Sequence, residues 1–160
     1  MDLIRRTLIS LAALLVMVFF IIHTDARAAV TIQKISESAL DELINTRNHK
    51  IVVAFMAAWC GPCIDELPVL NKLYQKYKAQ GLKLIGISID LAGPQDMQPV
   101  VDKLKVGFPV YWYGESAVQK FSIYAIPMIF WVKDGRIVEK SPGRRSGKEL
   151  DKKIREFLKK

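Results

Sequence analysis

The chain has 160 residues, 51% hydrophobic and 25% charged, enough for one domain with a continuous core and short for two. That composition excludes collagen-like and disordered architectures. Two cysteines exclude a disulfide-stapled scaffold and a four-thiolate zinc site. The net charge is +8, but residues 133–160 carry 11 basic and 5 acidic side chains, so the rest is nearly balanced. With the charge confined to one tail and no base-reading motif, the sequence predicts no nucleic-acid partner.

Arg5 and Arg6 precede an apolar run over residues 8–22, which holds 15 residues and no charge. A membrane span needs about 20 such residues. A signal-peptide core needs about 7–15 after a positive start. Ala26-Arg27-Ala28 supplies the small-x-small pattern that precedes a cleavage site. A cleaved signal peptide and a retained anchor are both open. In either case the arginines stay in the cytoplasm and the remainder crosses. The expected division is an export segment over 1–29 and a domain over 30–160, soluble in the periplasm or anchored to the inner membrane.

Ser36 and Ser38 precede Ala39, Leu40, Leu43 and Ile44, an apolar set at helical spacing, and a polar turn follows to residue 50. Residues 51–57 form a continuous apolar run, the pattern of a strand buried on both faces. Pro62 opens a helix that runs to about residue 79, with Gly81 as its stop and Pro68 as an expected kink. Residues 82–89 read as the next strand, 94–105 as a helix interrupted by Pro99, 110–112 as a short strand and 116–121 as a short helix. Residues 128–133 and 136–140 flank Asp134-Gly135, a hairpin signal. Ser146 and Glu149 make a capping box for a last helix over 147–158. Strands alternating with helices, then a hairpin and a helix, predict an α/β sandwich with a mixed sheet.

The informative residues are Trp59-Cys60-Gly61-Pro62-Cys63. A bare C-x-x-C is a weak signal, since zinc sites also use it. Here it falls at a strand-to-helix junction, the context that a redox pair requires. At a helix N-terminus, unpaired N–H groups and the helix dipole stabilise the Cys60 thiolate, and only the thiolate attacks a disulfide. Cys63 lies in the first turn, close enough to resolve a mixed disulfide. Gly61 lets another backbone approach. A structural bridge closing so short a loop would contribute little. A metal would need further ligands, and only His23 and His49 exist to join the cysteines.

These residues, with the strand before them and the helix after them, resemble thioredoxin. Ile126-Pro127, ahead of an apolar strand and a D-G hairpin, resembles that family's cis-proline, and Gly143 with the last helix resembles its ending. The likeness covers roughly residues 35–158. Pro127 lies 37 positions after Asp90, a longer span than a minimal thioredoxin has there. An insertion there, together with Glu66 and Pro68, resembles the exported ResA and TlpA group of thiol-disulfide oxidoreductases.

That resemblance implies a thioredoxin-like fold whose cofactor is nothing beyond a redox-active Cys60–Cys63 disulfide. Cys60 would attack a substrate disulfide and Cys63 would resolve the intermediate. Backbone atoms of Ile126 beside a cis Pro127 would pair with an extended substrate segment, and Trp59, Gly61 and Pro62 would complete the binding surface. The implied partners are a protein disulfide or dithiol and a membrane electron donor, with the protein itself a monomer. The implied client is a specific one, such as an apocytochrome c. An oxidant or isomerase for exported proteins, and a non-catalytic peptide-binding module, stay open.

Three positions depart from thioredoxin. Ala54 and Gly86 stand where it keeps a buried aspartate and the lysine that partners it, and Met128 stands where a threonine is usual. A proton relay must therefore come from elsewhere. Glu66, three residues past Cys63, shares its helix face and could take the Cys63 proton. The competing reading is a solvated helix glutamate. Tyr111, Trp112 and Tyr113 read as core packing, with a partner surface near the insertion as the alternative. The lysines and arginines of the last helix read as its solvated face, with an electrostatic contact to anionic lipid or an acidic partner as the alternative.

Overall fold

The computed structural model describes residues 29–47 and 49–159. The predicted export segment, its cleavage site, His23 and the boundary at residue 29 lie in or at the edge of the sequence outside the described residues. Among the described residues no helix is long and apolar enough to cross a membrane.

A two-residue strand, β1 (Gln33–Lys34), leads into helix α1 (Glu37–Asn45). Ser36 caps α1, its hydroxyl accepting from the Ala39 amide at 3.2 Å, and Leu40 and Ile44 are buried. β2 (Lys50–Met56) is buried at every position after Lys50. Helix α2 (Gly61–Tyr77) follows, and a 3-10 turn over Lys78–Gln80 closes on Gly81 at φ 92°. Then come β3 (Lys83–Ser88), α3 (Pro94–Lys103), β4 (Val110–Trp112) and α4 (Ser116–Lys120). The chain ends on β5 (Met128–Lys133), β6 (Arg136–Pro142) and α5 (Gly147–Lys159).

The six strands form one sheet in the order β1-β4-β3-β2-β5-β6. β1, β4, β3 and β2 pair in parallel, whereas β5 is antiparallel to both β2 and β6. The predicted mixed α/β sandwich is the fold found. The Asp134-Gly135 turn joins β5 to β6 with both residues at positive φ, 51° and 76°. A Cβ at Gly135 would stand 2.5 Å from the Asn45 carbonyl oxygen, so glycine is required there for shape as well as for conformation.

The core packs the buried faces of β2, β3 and β5 against Leu40 of α1, Leu67 and Leu70 of α2, and Leu150, Ile154 and Phe157 of α5. In α5 those apolar positions face inward while Lys152 and Arg155 stay exposed and pair with Glu156 and Asp151 on the same helix. The basic tail is thus the solvated face of an amphipathic helix.

The structure corrects some details. β1 has no counterpart in the sequence reading. Two residues are too few to show a period, and only their parallel pairing with Tyr111 and Trp112 makes them a strand. Pro99 does not interrupt α3; α2 runs through Pro68, as expected. Both prolines stand on the exposed sides of their helices, where the hydrogen bond a proline forfeits costs least. Ala54 and Gly86 are direct register partners in adjacent strands. A Cβ on Gly86 would overlap the end of the Met56 side chain, so a methionine fills the space beside Gly86.

Candidate active site

β2 delivers the motif to the C-terminal end of the parallel strands. The chain turns there, with the Cys60 amide donating to the Ala57 carbonyl at 3.1 Å. Cys60 is the N-cap of α2 in an extended conformation (φ −91°, ψ 95°). Its carbonyl accepts from the amides of Cys63 and Ile64 at 3.0 and 3.1 Å, the first hydrogen bonds of the helix. Its sulfur accepts from the Cys63 amide at 3.2 Å. The sulfur therefore takes the place that a serine or aspartate oxygen holds in an ordinary cap.

Cys60 and Cys63 are joined by a disulfide, with Cα atoms 5.2 Å apart. Both are buried, Cys60 at 6% exposure and Cys63 at 2%. Trp59 is 66% exposed beside them. Gly61 and Pro62 are exposed, and nothing lies within 4 Å of a Cβ built on Gly61, so the surface at Gly61 is open.

The Ile126–Pro127 bond is cis, as the resemblance implies. Met128 pairs with Phe55, which brings Ile126 and Pro127 level with the end of β2. Ile126 is half-buried and Pro127 buried. The Pro127 carbonyl accepts from the Gly143 amide at 2.8 Å. Met128 is fully buried, so the methionine that departs from thioredoxin belongs to the core.

Glu66 is 1% exposed, on the α2 face that also buries Cys63 and Leu67. This overturns the solvated reading. Oε1 accepts from the Arg145 amide at 2.8 Å, and Oε2 is buried without a hydrogen-bond partner. Burial raises the pKa of the carboxyl above the usual carboxylate value. The Arg145 amide and the charges of Arg144 and Arg145 pull it down by less. Arg144 also reaches Asp65 at 3.6 Å, so two successive arginines meet two successive carboxylates of α2.

Asp90, which the sequence places only in a loop, is fully buried beside the motif. Its carboxylate accepts from the Ala58 amide at 2.9 and 3.2 Å and from the Ser88 hydroxyl at 2.7 Å. Its carbonyl accepts from the Trp112 indole at 2.7 Å. One residue thus ties the turn before Cys60 to the end of β3 and to β4. The available signal was an acidic residue closing the apolar run of residues 84–89. Tyr111, Trp112 and Tyr113 are half-buried and pack against the core rather than within it. Among the described residues no cluster of histidine, cysteine and carboxylate side chains could hold a metal ion.

A helix-capping C-x-x-C pair, a cis-proline level with it and this strand order define a thioredoxin-like protein. The chain belongs to the AhpC/TSA family, whose profile matches residues 25–141. It is 30% identical over 112 residues to thiol-disulfide oxidoreductase ResA of Bacillus cereus, covering 69% of this chain and 64% of that protein's length. The structure resembles StoA from Bacillus subtilis, with TM-score 0.60, 22% identity and coverage of 68% of this chain and 84% of that one. It also resembles a thiol:disulfide interchange protein of the thioredoxin family from Chlorobium tepidum TLS, with TM-score 0.63, 21% identity and coverage of 70% and 81%. At these identities the two solved structures speak for the fold alone.

Proposed function

We propose that the protein is a thiol-disulfide oxidoreductase that reduces disulfides of a specific client outside the cytoplasm. The observation that carries this reading is the Cys60 sulfur at the N-cap of α2, accepting the Cys63 amide. A thiolate on that atom is stabilised by the helix terminus, and a thiolate is the nucleophile of disulfide exchange.

In the dithiol form, the Cys60 thiolate attacks one sulfur of a substrate disulfide. The substrate S–S bond breaks, a mixed disulfide forms, and the departing sulfur takes a proton. The Cys63 thiol gives its proton to Glu66 and attacks the Cys60 sulfur. This releases the second substrate thiol and forms the Cys60–Cys63 disulfide. The substrate gains two electrons from the cysteine pair and two protons, one from solvent in the first step and one from Cys63 by way of Glu66 in the second. An upstream dithiol reloads the pair, and no group beyond the two cysteines carries electrons. The substrate backbone pairs beside Ile126 and Pro127, with Trp59, Gly61 and Pro62 forming the surface around the attacked sulfur.

Arg5, Arg6 and the apolar run over residues 8–22 support export, by cleavage or by anchoring to the inner membrane. The resemblance to the ResA and TlpA group supports a membrane electron donor and a client such as an apocytochrome c awaiting haem attachment. The likeness to the oxidoreductase of Bacillus cereus supports the reaction class.

The test is Cys63→Ser. It leaves the mixed disulfide unresolved, so the client accumulates covalently on Cys60, is released by dithiothreitol, and is identified by mass spectrometry. Absence of any such adduct overturns the reading and favours a peptide-binding module. A reduction potential near that of strong oxidants, about −120 mV, overturns the reducing direction.

A further inference from the structure

Three large apolar side chains are the most exposed among the described residues: Tyr124 at 75%, Leu91 at 69% and Trp59 at 66%. The topology gathers all three at one end of the sheet. β2 and β3 are parallel, so Trp59, just past β2, and Leu91, just past β3, emerge at the same end. β5 runs antiparallel to β2, so Tyr124, just ahead of β5, lies there too. The strand order β3-β2-β5 sets Leu91 and Tyr124 on opposite sides of Trp59 and Cys60. Only Trp59 has a role in the exchange reaction described above.

This placement is held firmly on the Leu91 side. The Ala58 amide, next to Trp59, donates to the carboxylate of Asp90, next to Leu91. The Asp90 carbonyl is held in turn by the Trp112 indole. Leu91 and Trp59 thus project from two turns bolted together by a buried carboxylate. Large apolar side chains kept in water on anchored backbone mark a contact surface, and little ordering entropy remains to oppose binding there.

We propose that Leu91 and Tyr124 are specificity-determining residues that select polypeptide disulfides flanked on both sides by large apolar side chains. The inference rests on the exchange reaction proposed above. A client cysteine brought to Cys60 puts its flanking residues over the strands on either side. Apolar flanks bury against Leu91 and Tyr124, whereas charged flanks would be desolvated with no partner. The selected client is an unfolded or locally extended segment, since large apolar side chains on both sides of a disulfide are seldom accessible in a folded domain.

The experiment uses the dithiol form and three probes: a cyclic disulfide peptide with leucines flanking both cysteines, the same peptide with aspartates there, and hydroxyethyl disulfide, which has no flanks. The wild type is expected to prefer the leucine peptide in kcat/KM by tenfold or more. Leu91→Ser and Tyr124→Ser are each expected to cut that preference severalfold, and the double variant to bring it within about twofold. Rates with hydroxyethyl disulfide stay within about twofold throughout, because that probe carries no flanking side chains for either residue to bury. A wild type without preference, or a double variant that keeps it, overturns the inference while the exchange reaction stands. Failure with all three probes overturns the reaction itself, and the inference with it. Both positions are open to solvent, so folding does not confound the comparison.

Discussion

Glu66 and Arg145 lie 79 positions apart in the chain, and the Arg145 amide donates to Glu66 Oε1 over 2.8 Å. The same loop, two residues earlier, donates the Gly143 amide to Pro127. The turn between β6 and α5 thus holds both the carboxylate proposed as proton acceptor and the cis-proline proposed to dock substrate.

The raised pKa of Glu66 makes stability depend on pH. The folded protein holds this proton more tightly than the unfolded chain, whose carboxyl titrates near its ordinary value of 4.5. The contribution is complete below that value and is lost as pH rises through the folded-state value. Glu66→Gln removes the titration. Urea unfolding of the oxidised proteins should show the variant gaining on the wild type as pH rises above about 4.5. The gain should be about 1.4 kcal/mol for every tenfold difference in proton affinity between the folded and unfolded states. Parallel pH profiles would show a carboxyl with the same affinity in both.

The same variant should separate the two steps of exchange. Formation of the mixed disulfide through Cys60 should be nearly unchanged. Resolution by Cys63 should slow by roughly a hundredfold or more, the usual contribution of a positioned proton acceptor. Quenched-flow trapping, followed by mass spectrometry of the accumulating adduct, measures both steps.

Asp90 is expected to discriminate between two substitutions. Asp90→Ala leaves the Ala58 amide and the Ser88 hydroxyl without their partner and should cost about 1–3 kcal/mol. Asp90→Asn keeps an acceptor for the amide and offers a donor to the hydroxyl, so it should cost less. Urea midpoints of the two variants decide the order.

Gly86→Ala would press its methyl group into the end of Met56 and within 3.2 Å of Val110 Cγ2. Overpacking of this kind costs about 1–3 kcal/mol. Met56→Ala destabilises by itself through the cavity it leaves. The two substitutions together should cost less than their sum, and a double-mutant cycle measures the difference.

The mixed sheet and its main strands were legible because each strand after β1 carries a run of apolar or β-branched residues bounded by turn residues. The cysteine pair was legible from its place at a strand-helix junction, and the cis bond at Pro127 through the family resemblance. What escaped depends on distant chain. Glu66 was a candidate by its spacing from Cys63, but its burial comes from a loop 79 residues away that no local pattern announces. Asp90 looks like a loop residue because spacing does not say which way a carboxylate turns. Pro99 was misjudged for a similar reason, since the cost of a missing hydrogen bond depends on which face of the helix meets water.

β2 is hydrogen-bonded along nearly its whole length to β3 on one side and β5 on the other. Every side chain past Lys50 is buried. Such a strand belongs to the part of a domain that opens only when the whole domain opens, so its amides should be among the slowest to exchange with deuterium. The cysteine pair is grafted onto this slow-exchanging ladder. Movement in the loops around it changes what reaches the sulfurs while leaving their own mounting still.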